Sequence, residues 1–97
     1  MARFHVRETF APKDQPFFVL AGFAIEGQVD AGMLVRLPFN GQVAVTEEID
    51  HIQRLARPDG EVLCLCLRCH TPDEAQLWVA LPLKDTTVEV IRPAAAS

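Results

Sequence analysis

The feature that most constrains this chain is a period-two alternation of apolar side chains in short runs, each closed by glycine, proline or aspartate. Alternation at that period sends successive side chains to opposite faces of an extended backbone, so such runs fold as strands. The clearest is Glu61-Val62-Leu63-Cys64-Leu65-Cys66-Leu67-Arg68-Cys69, where Leu63, Leu65 and Leu67 share one face and Cys64 and Cys66 the other. Phe4, Val6 and then Phe10 alternate with His5 and Arg7 in a first strand. It stops at Pro12-Lys13-Asp14-Gln15-Pro16, where two prolines remove backbone donors. Residues 17–25 are almost continuously apolar, as in a strand buried on both faces, with Phe17 and Phe18 on opposite sides. Gly22 in the middle of that run marks a bulge or a sharp bend.

The punctuation continues along the chain. Gly27 and Gly32, set around Val29, predict a bent strand and a turn, and residues 33–37 predict a short strand. Asn40-Gly41 is a hairpin signal, because both residues tolerate positive φ, with residues 42–45 returning as the partner strand. Arg57-Pro58-Asp59-Gly60 reads as a β-turn. Thr71-Pro72-Asp73-Glu74 is a capping box with proline at the first helical position, which predicts one short helical turn before Leu77-Trp78-Val79-Ala80-Leu81. Residues 86–91 form the last strand, and residues 93–97 a disordered tail. Residues 46–56 are ambiguous. Ile49, Ile52 and Leu55 recur every third position, and Thr46 followed by Glu47 and Glu48 suits a helix start, so local signals there favour a helix.

Six or seven short strands in 97 residues, 49% of them hydrophobic, describe an all-β fold: a small barrel or sandwich built as a single domain over residues 1–92. Several chemistries are missing. Tyrosine is absent and the only serine is Ser97, so no Ser-His-Asp triad can be assembled on a rigid scaffold. The lysines, Lys13 and Lys84, follow Pro12 and Leu83, so no phosphate-binding Gly-Lys-Ser/Thr loop exists. The first residues lack the apolar run of a signal peptide, and no stretch approaches the ~20 apolar residues of a membrane span, which leads to the expectation of a cytoplasmic protein without membrane contact.

Gly22-Phe23-Ala24-Ile25-Glu26-Gly27-Gln28-Val29-Asp30-Ala31-Gly32 resembles the glycine-spaced strand and turn of the second domain of translational GTPases such as elongation factor Tu. Phe4 to Phe10 falls where that family's entry strand lies. Residues 59–69 followed by Thr71-Pro72-Asp73-Glu74 look like its later strand and one-turn hydrophilic helix, so the likeness covers about residues 3–92. The resemblance implies a closed antiparallel β-barrel in which residues 46–53 are a strand following the hairpin. It also implies a non-catalytic role beside a GTPase domain that this chain does not contain, with contacts to ribosome or aminoacyl-tRNA. Gln28 stands where the family commonly has a basic residue. The net charge is −4 and the arginines are dispersed, which disfavours RNA or ribosome binding and speaks against DNA.

Cys64, Cys66 and Cys69 are an odd set of three thiols, which in a reducing compartment are free or ligands rather than disulfide-bonded. Cys66-Leu67-Arg68-Cys69-His70 spells a c-type haem attachment pattern, but no export signal precedes it and a strand would send Cys66 and Cys69 to opposite faces. Cys66, Cys69 and His70 could instead bind zinc or copper, with a further ligand from His51, His5 or a second chain. A nucleophile pair of Cys69 with His70 or His51 would require a lowered thiol pKa. Glu47, Glu48, Asp50 and His51 could hold a hard cation, though a solvated face is the simpler reading. Trp78 is core or an interaction anchor, core being favoured.

The favoured reading of all three cysteines is packing, since free cysteine is among the most buried residue types. The sequence therefore assigns no catalytic, cofactor-binding or metal-binding residue and no cofactor. The expectation is a non-enzymatic interaction module with a protein partner, or a homodimer. The alternative is a small thiol-based metal or redox protein using Cys66, Cys69 and His70.

Overall fold

A computed structural model describes residues 2–40 and 43–93. The tip of the expected Asn40-Gly41 hairpin, from Gly41 on, and residues 94–97 of the expected tail lie outside the described residues. The elements are β1 (Ala2–Phe10), β2 (Phe17–Glu26), β3 (Leu34–Asn40), β4 (Val43–Arg57), β5 (Gly60–Arg68), α1 (Pro72–Val79) and β6 (Thr86–Ile91). The strands close into an antiparallel barrel in the order β1-β2-β5-β4-β3-β6. The fold is thus the small closed all-β barrel expected, with six strands.

Alternation supplies the core. Phe4, Val6, Phe18, Leu20, Val35, Leu37, Ile49, Leu65, Val88 and Val90 all point inward and are buried. Leu63, Leu65 and Leu67, which alternation in β5 sets on one face, join this interior cluster. Each mouth is closed by a connection. The β2–β3 turn, in which Gly27 and Gly32 adopt φ of 73° and 89°, folds Val29 and Met33 into one end. Gly32 N donates to Ile49 O at 2.8 Å and Ile49 N to Met33 O at 2.9 Å, tying the turn to β4. The opposite end is covered by α1, whose Ala75 is buried and whose Trp78 stacks on Phe18 with centroids 6.2 Å apart.

Thr71 caps α1, its hydroxyl accepting from Glu74 N at 3.1 Å. The helix runs on through Leu77, Trp78 and Val79, eight residues rather than the single turn expected. Tertiary packing accounts for the extension: Trp78 and Val79 pack against the interior cluster, and Trp78 Nε1 donates back to Glu74 Oε1 at 3.5 Å.

Residues 46–56 are strand, which corrects the local helical reading and agrees with what the resemblance implied. The cause is a bulge. Ile49 pairs with Leu67 and His51 with Cys66, so Asp50 is an extra residue between them. One extra residue in a strand turns an i, i+2 spacing into i, i+3, which brings both Ile49 and Ile52 to the inner face. Leu55, three further on, is exposed on the outside. A bulged strand therefore imitates helical spacing.

Gly22 stands opposite another irregularity. Val6 pairs with Gly22 and Glu8 with Ala21, leaving Arg7 as the extra residue in β1. A Cβ at Gly22 would collide with the His5 backbone carbonyl and would crowd Arg7 N at 3.2 Å. Only glycine lets the two strands approach this closely.

Candidate functional site

The inner faces of β2 and β5 are spent on the core, so any site must be sought on the ends or the outer wall. There the same two strands carry a second apolar cluster: Val19, Ala21, Val62, Cys64 and Cys66, all buried, with Phe17 packed beside them. Register explains the patch. Val19 pairs with Cys66 and Ala21 with Cys64, so these side chains stand shoulder to shoulder on the outside of the closed sheet. On the flanking strands, Phe10 and Glu8 of β1 pair with Val19 and Ala21, and His51 and Gln53 of β4 pair with Cys66 and Cys64. The result is a trough whose floor is made of small side chains and whose walls are made of large ones.

Two open hollows share this floor. One, of about 210 Å³, lies over Val19 and Cys66 and is lined further by Phe10, Pro12, Phe17 and His51, with the amides of Gln15 and Gln53. The other, of about 330 Å³, lies over Ala21 and Val62 and is lined by Arg7, Glu8, Arg57, Asp59, Lys84 and Asp85. One end is therefore apolar with amide groups, the other charged.

His51 is held at the apolar end. Its Nδ1 is 2.8 Å from Asp50 Oδ2, its ring meets Phe17 edge-on with centroids 5.4 Å apart, and Arg68 Nε donates to Asp50 Oδ1 at 3.4 Å. Arg68 also lies over the Phe17 ring, 4.9 Å from its centroid. The hydrogen bond from His51, ahead of the contribution of Arg68, holds the Asp50 carboxyl below its ordinary pKa. Of the acidic cluster Glu47, Glu48, Asp50 and His51, Asp50 and His51 are thus engaged with each other and with Arg68.

The cysteines divide between the two faces. Cys64 and Cys66 belong to the outer floor, whereas Cys69 belongs to the interior cluster. Burial raises the pKa of each thiol, and Cys69, with Glu74 and Glu47 adding to the effect, is pushed up to about 11. Thiols protonated at neutral pH are poor nucleophiles and poor metal ligands. The Cys66, Cys69 and His70 set is not brought together: Cys66 faces out, Cys69 faces in, and His70 is exposed. Among the described residues no three His, Cys, Asp or Glu side chains are grouped so as to hold a metal ion. No helix among the described residues is long and apolar enough to cross a membrane.

Sequence reasoning identified the components of the floor without identifying the site. Phe17 and Phe18 were expected on opposite faces, and Phe17 does lie outside while Phe18 is buried within. The missed signal was that Val62, Cys64 and Cys66 are apolar on the face that Leu63, Leu65 and Leu67 leave free. Gln53, Arg57 and Lys84 carried no local signal at all. No protein-family model, curated protein or solved structure matches this chain.

Proposed function

We propose that this chain is a non-catalytic binding barrel that docks a protein partner on its outer wall over β2 and β5. The observation that carries the reading is the five-residue apolar floor on the outside of a closed barrel, covered only by neighbouring side chains. A strand needs an apolar inner face to fold; a second apolar face on the same pair of strands is surplus to that need. Phe10 and Phe23, 43% and 45% exposed, and the exposed Ile25 and Leu55 are further apolar side chains of β1, β2 and β4. The resemblance to the second-domain barrel of translational GTPases agrees with a module that binds rather than catalyses.

Charge gives no support to a nucleic-acid surface. Arg3, Arg7, Arg36, Arg54 and Arg68 each lie within 4 Å of a carboxylate, on Glu26, Asp59, Glu89, Glu61 and Asp50 respectively. Arginines neutralised in this way are not arrayed to follow a phosphate backbone.

The test is cross-linking in the native host from a photoreactive residue at Gln53, on the trough wall, compared with the same residue at Leu77, which is 73% exposed on α1. A partner captured from position 53, and lost when Ala21 is enlarged to Gln to fill the floor, supports the reading. Capture from position 77 alone, or capture insensitive to Ala21→Gln, sinks it.

A further inference from the structure

We infer that Asp59, at the tip of the β4–β5 hairpin, is a site of spontaneous covalent modification, where the folded chain isomerises through a succinimide to isoaspartate. The reaction begins when the backbone nitrogen of the following residue attacks the aspartate side-chain carboxyl carbon. A side chain on that following residue crowds the attack, so glycine in that position favours it. The aspartates at 14, 30, 50, 73 and 85 precede Gln15, Ala31, His51, Glu74 and Thr86, whereas Asp59 precedes Gly60. The fold adds to this preference. Pro58 and Asp59 are the two-residue connection between Arg57 and Gly60, which pair across the hairpin. The Asp59 side chain is 69% exposed, and among the described residues its charged neighbour is Arg7, at 3.8 Å, beyond hydrogen-bond length. Gly60 has a φ of 131°, and nothing lies within 4 Å of where a Cβ would stand, so the attacking residue is in open space. Other aspartates are held: Asp50 by His51 and Arg68, Asp73 in the first turn of α1, and Asp85 by a backbone bond from its N to Val6 O at 2.7 Å.

The steps balance without any reagent but water. A bond forms between Gly60 N and Asp59 Cγ as the C–OH bond of the carboxylic acid breaks, and that hydroxyl leaves as water with the proton from nitrogen. Water then opens the ring at one of its two carbonyls. Addition at Cγ breaks the new bond and restores aspartate. Addition at the main-chain carbonyl breaks the original peptide bond to Gly60, so the chain runs on through Cβ and Cγ and a free carboxylate is left on Cα. One water leaves and one enters, and the mass is unchanged. The connection gains one backbone methylene, which removes the Arg57–Gly60 pairing and moves the carboxylate away from Arg7. The remaining β4–β5 pairs, from Ala56 with Glu61 onward, lie outside the altered connection, so the barrel stays closed. Loop tips absorb such changes where strand interiors do not.

The experiment is prolonged incubation of the full folded chain at neutral pH and physiological temperature, beside a sample kept unfolded in urea. Samples are withdrawn over weeks, digested with trypsin and assayed for isoaspartate by enzymatic carboxyl methylation and by fragmentation mass spectrometry. Tryptic cleavage places Asp59 on the peptide 55–68 and Asn40, which also precedes glycine, on 37–54, where its reaction would change the mass. The expected result is isoaspartate accumulating on 55–68 of the folded chain at unchanged mass, ahead of the other aspartates. Asp59→Glu should reduce the signal to background, because a glutamate must close a six-membered ring. Gly60→Ala should do the same by crowding the nitrogen, and the glutamate variant stands as the test if alanine disturbs the turn. Asp59→Asn should accelerate the reaction, since ammonia then leaves in place of water. Isoaspartate at 59 in the unfolded sample but not in the folded one overturns the proposal, because the turn would then be protective. Absence from both samples, earlier reaction at another aspartate, or a signal unchanged by Asp59→Glu overturns it as well.

Discussion

The two faces of β5 are equally buried and differently made. Leu63, Leu65 and Leu67 point into a space enclosed by all six strands, the β2–β3 turn and α1, whereas Val62, Cys64 and Cys66 point outward under side chains of β1, β2 and β4. Inside, burial follows from closure of the sheet, and large side chains interlock with partners from across the barrel. Outside, burial follows from smallness: the floor is out of reach of water because its neighbours overhang it. An enclosed face cannot be re-covered by anything else, while an overhung face can exchange its cover for a partner.

The sharpest way to break that contrast is truncation on each side. Leu65→Ala should destabilise the chain by about 2–5 kcal/mol, since a cavity is left in a space that cannot collapse. Cys64→Ala, one residue away, should cost under ~1 kcal/mol because solvent and neighbouring side chains can fill the gap. Urea unfolding of the two variants decides the matter, and equal losses would show that the outer face is as structural as the inner.

Gly22 tests the seam between β1 and β2. Gly22→Ala drives a methyl into the His5 carbonyl, which is backbone and cannot swing aside. A loss of roughly 1–3 kcal/mol is expected, as for overpacked sites, together with shifted amide resonances at Val6 and Arg7.

Alkaline titration distinguishes the thiols of the two faces. The Cys69 pKa is raised to about 11 in the folded chain, whereas a free thiol ionises near about 8.5. Between those values the unfolded state binds fewer protons than the folded one, so stability falls as pH rises through that window. Cys69→Ala should flatten the slope more than Cys66→Ala, when the midpoint of urea unfolding is followed from pH 8 to 11. An unchanged slope in Cys69→Ala would mean that its burial is not maintained in solution.

The smallest effect is expected at the lid of the inner face. Thr71→Ala removes the hydroxyl that accepts from Glu74 N and should cost about 1 kcal/mol. Tryptophan fluorescence should shift with it, because Trp78 leaves its place on Phe18 when α1 frays. A stability loss without that shift would separate the helix cap from the closure of the mouth.

These contrasts also mark how far the sequence could be read. The turns were legible because their chemistry is local: the prolines at 12 and 16, the glycines at 27 and 32, the Pro58-Asp59 turn and the Thr71 cap each act on their own backbone. The division of β5 into a leucine face and a cysteine face was legible because alternation needs no partner to be seen; which of the two faces inward was not. The strand at 46–56 was not, because its bulge at Asp50 produces a three-residue spacing that a helix also has, and only pairing with β5 separates the two. The length of α1 was not, because Trp78 extends the helix by packing on Phe18, a residue 60 positions earlier.

Determined by the sequence alone were the all-β class, the turns and most of the strands in their order, and the division of β5 into a leucine face and a cysteine face. Those follow from side-chain period and turn chemistry, which act over a few residues. The tertiary structure decided the closure of the sheet, the phase of β4 after Asp50, the separation of Cys66 from Cys69 by a wall of the barrel, and the trough itself. The trough draws its floor and walls from β1, β2, β4, β5 and the segment before β6, and register is the physical reason it could not be foreseen. Side chains far apart in the chain become neighbours only when strands pair at one offset, and bulges at Arg7 and Asp50 set that offset here.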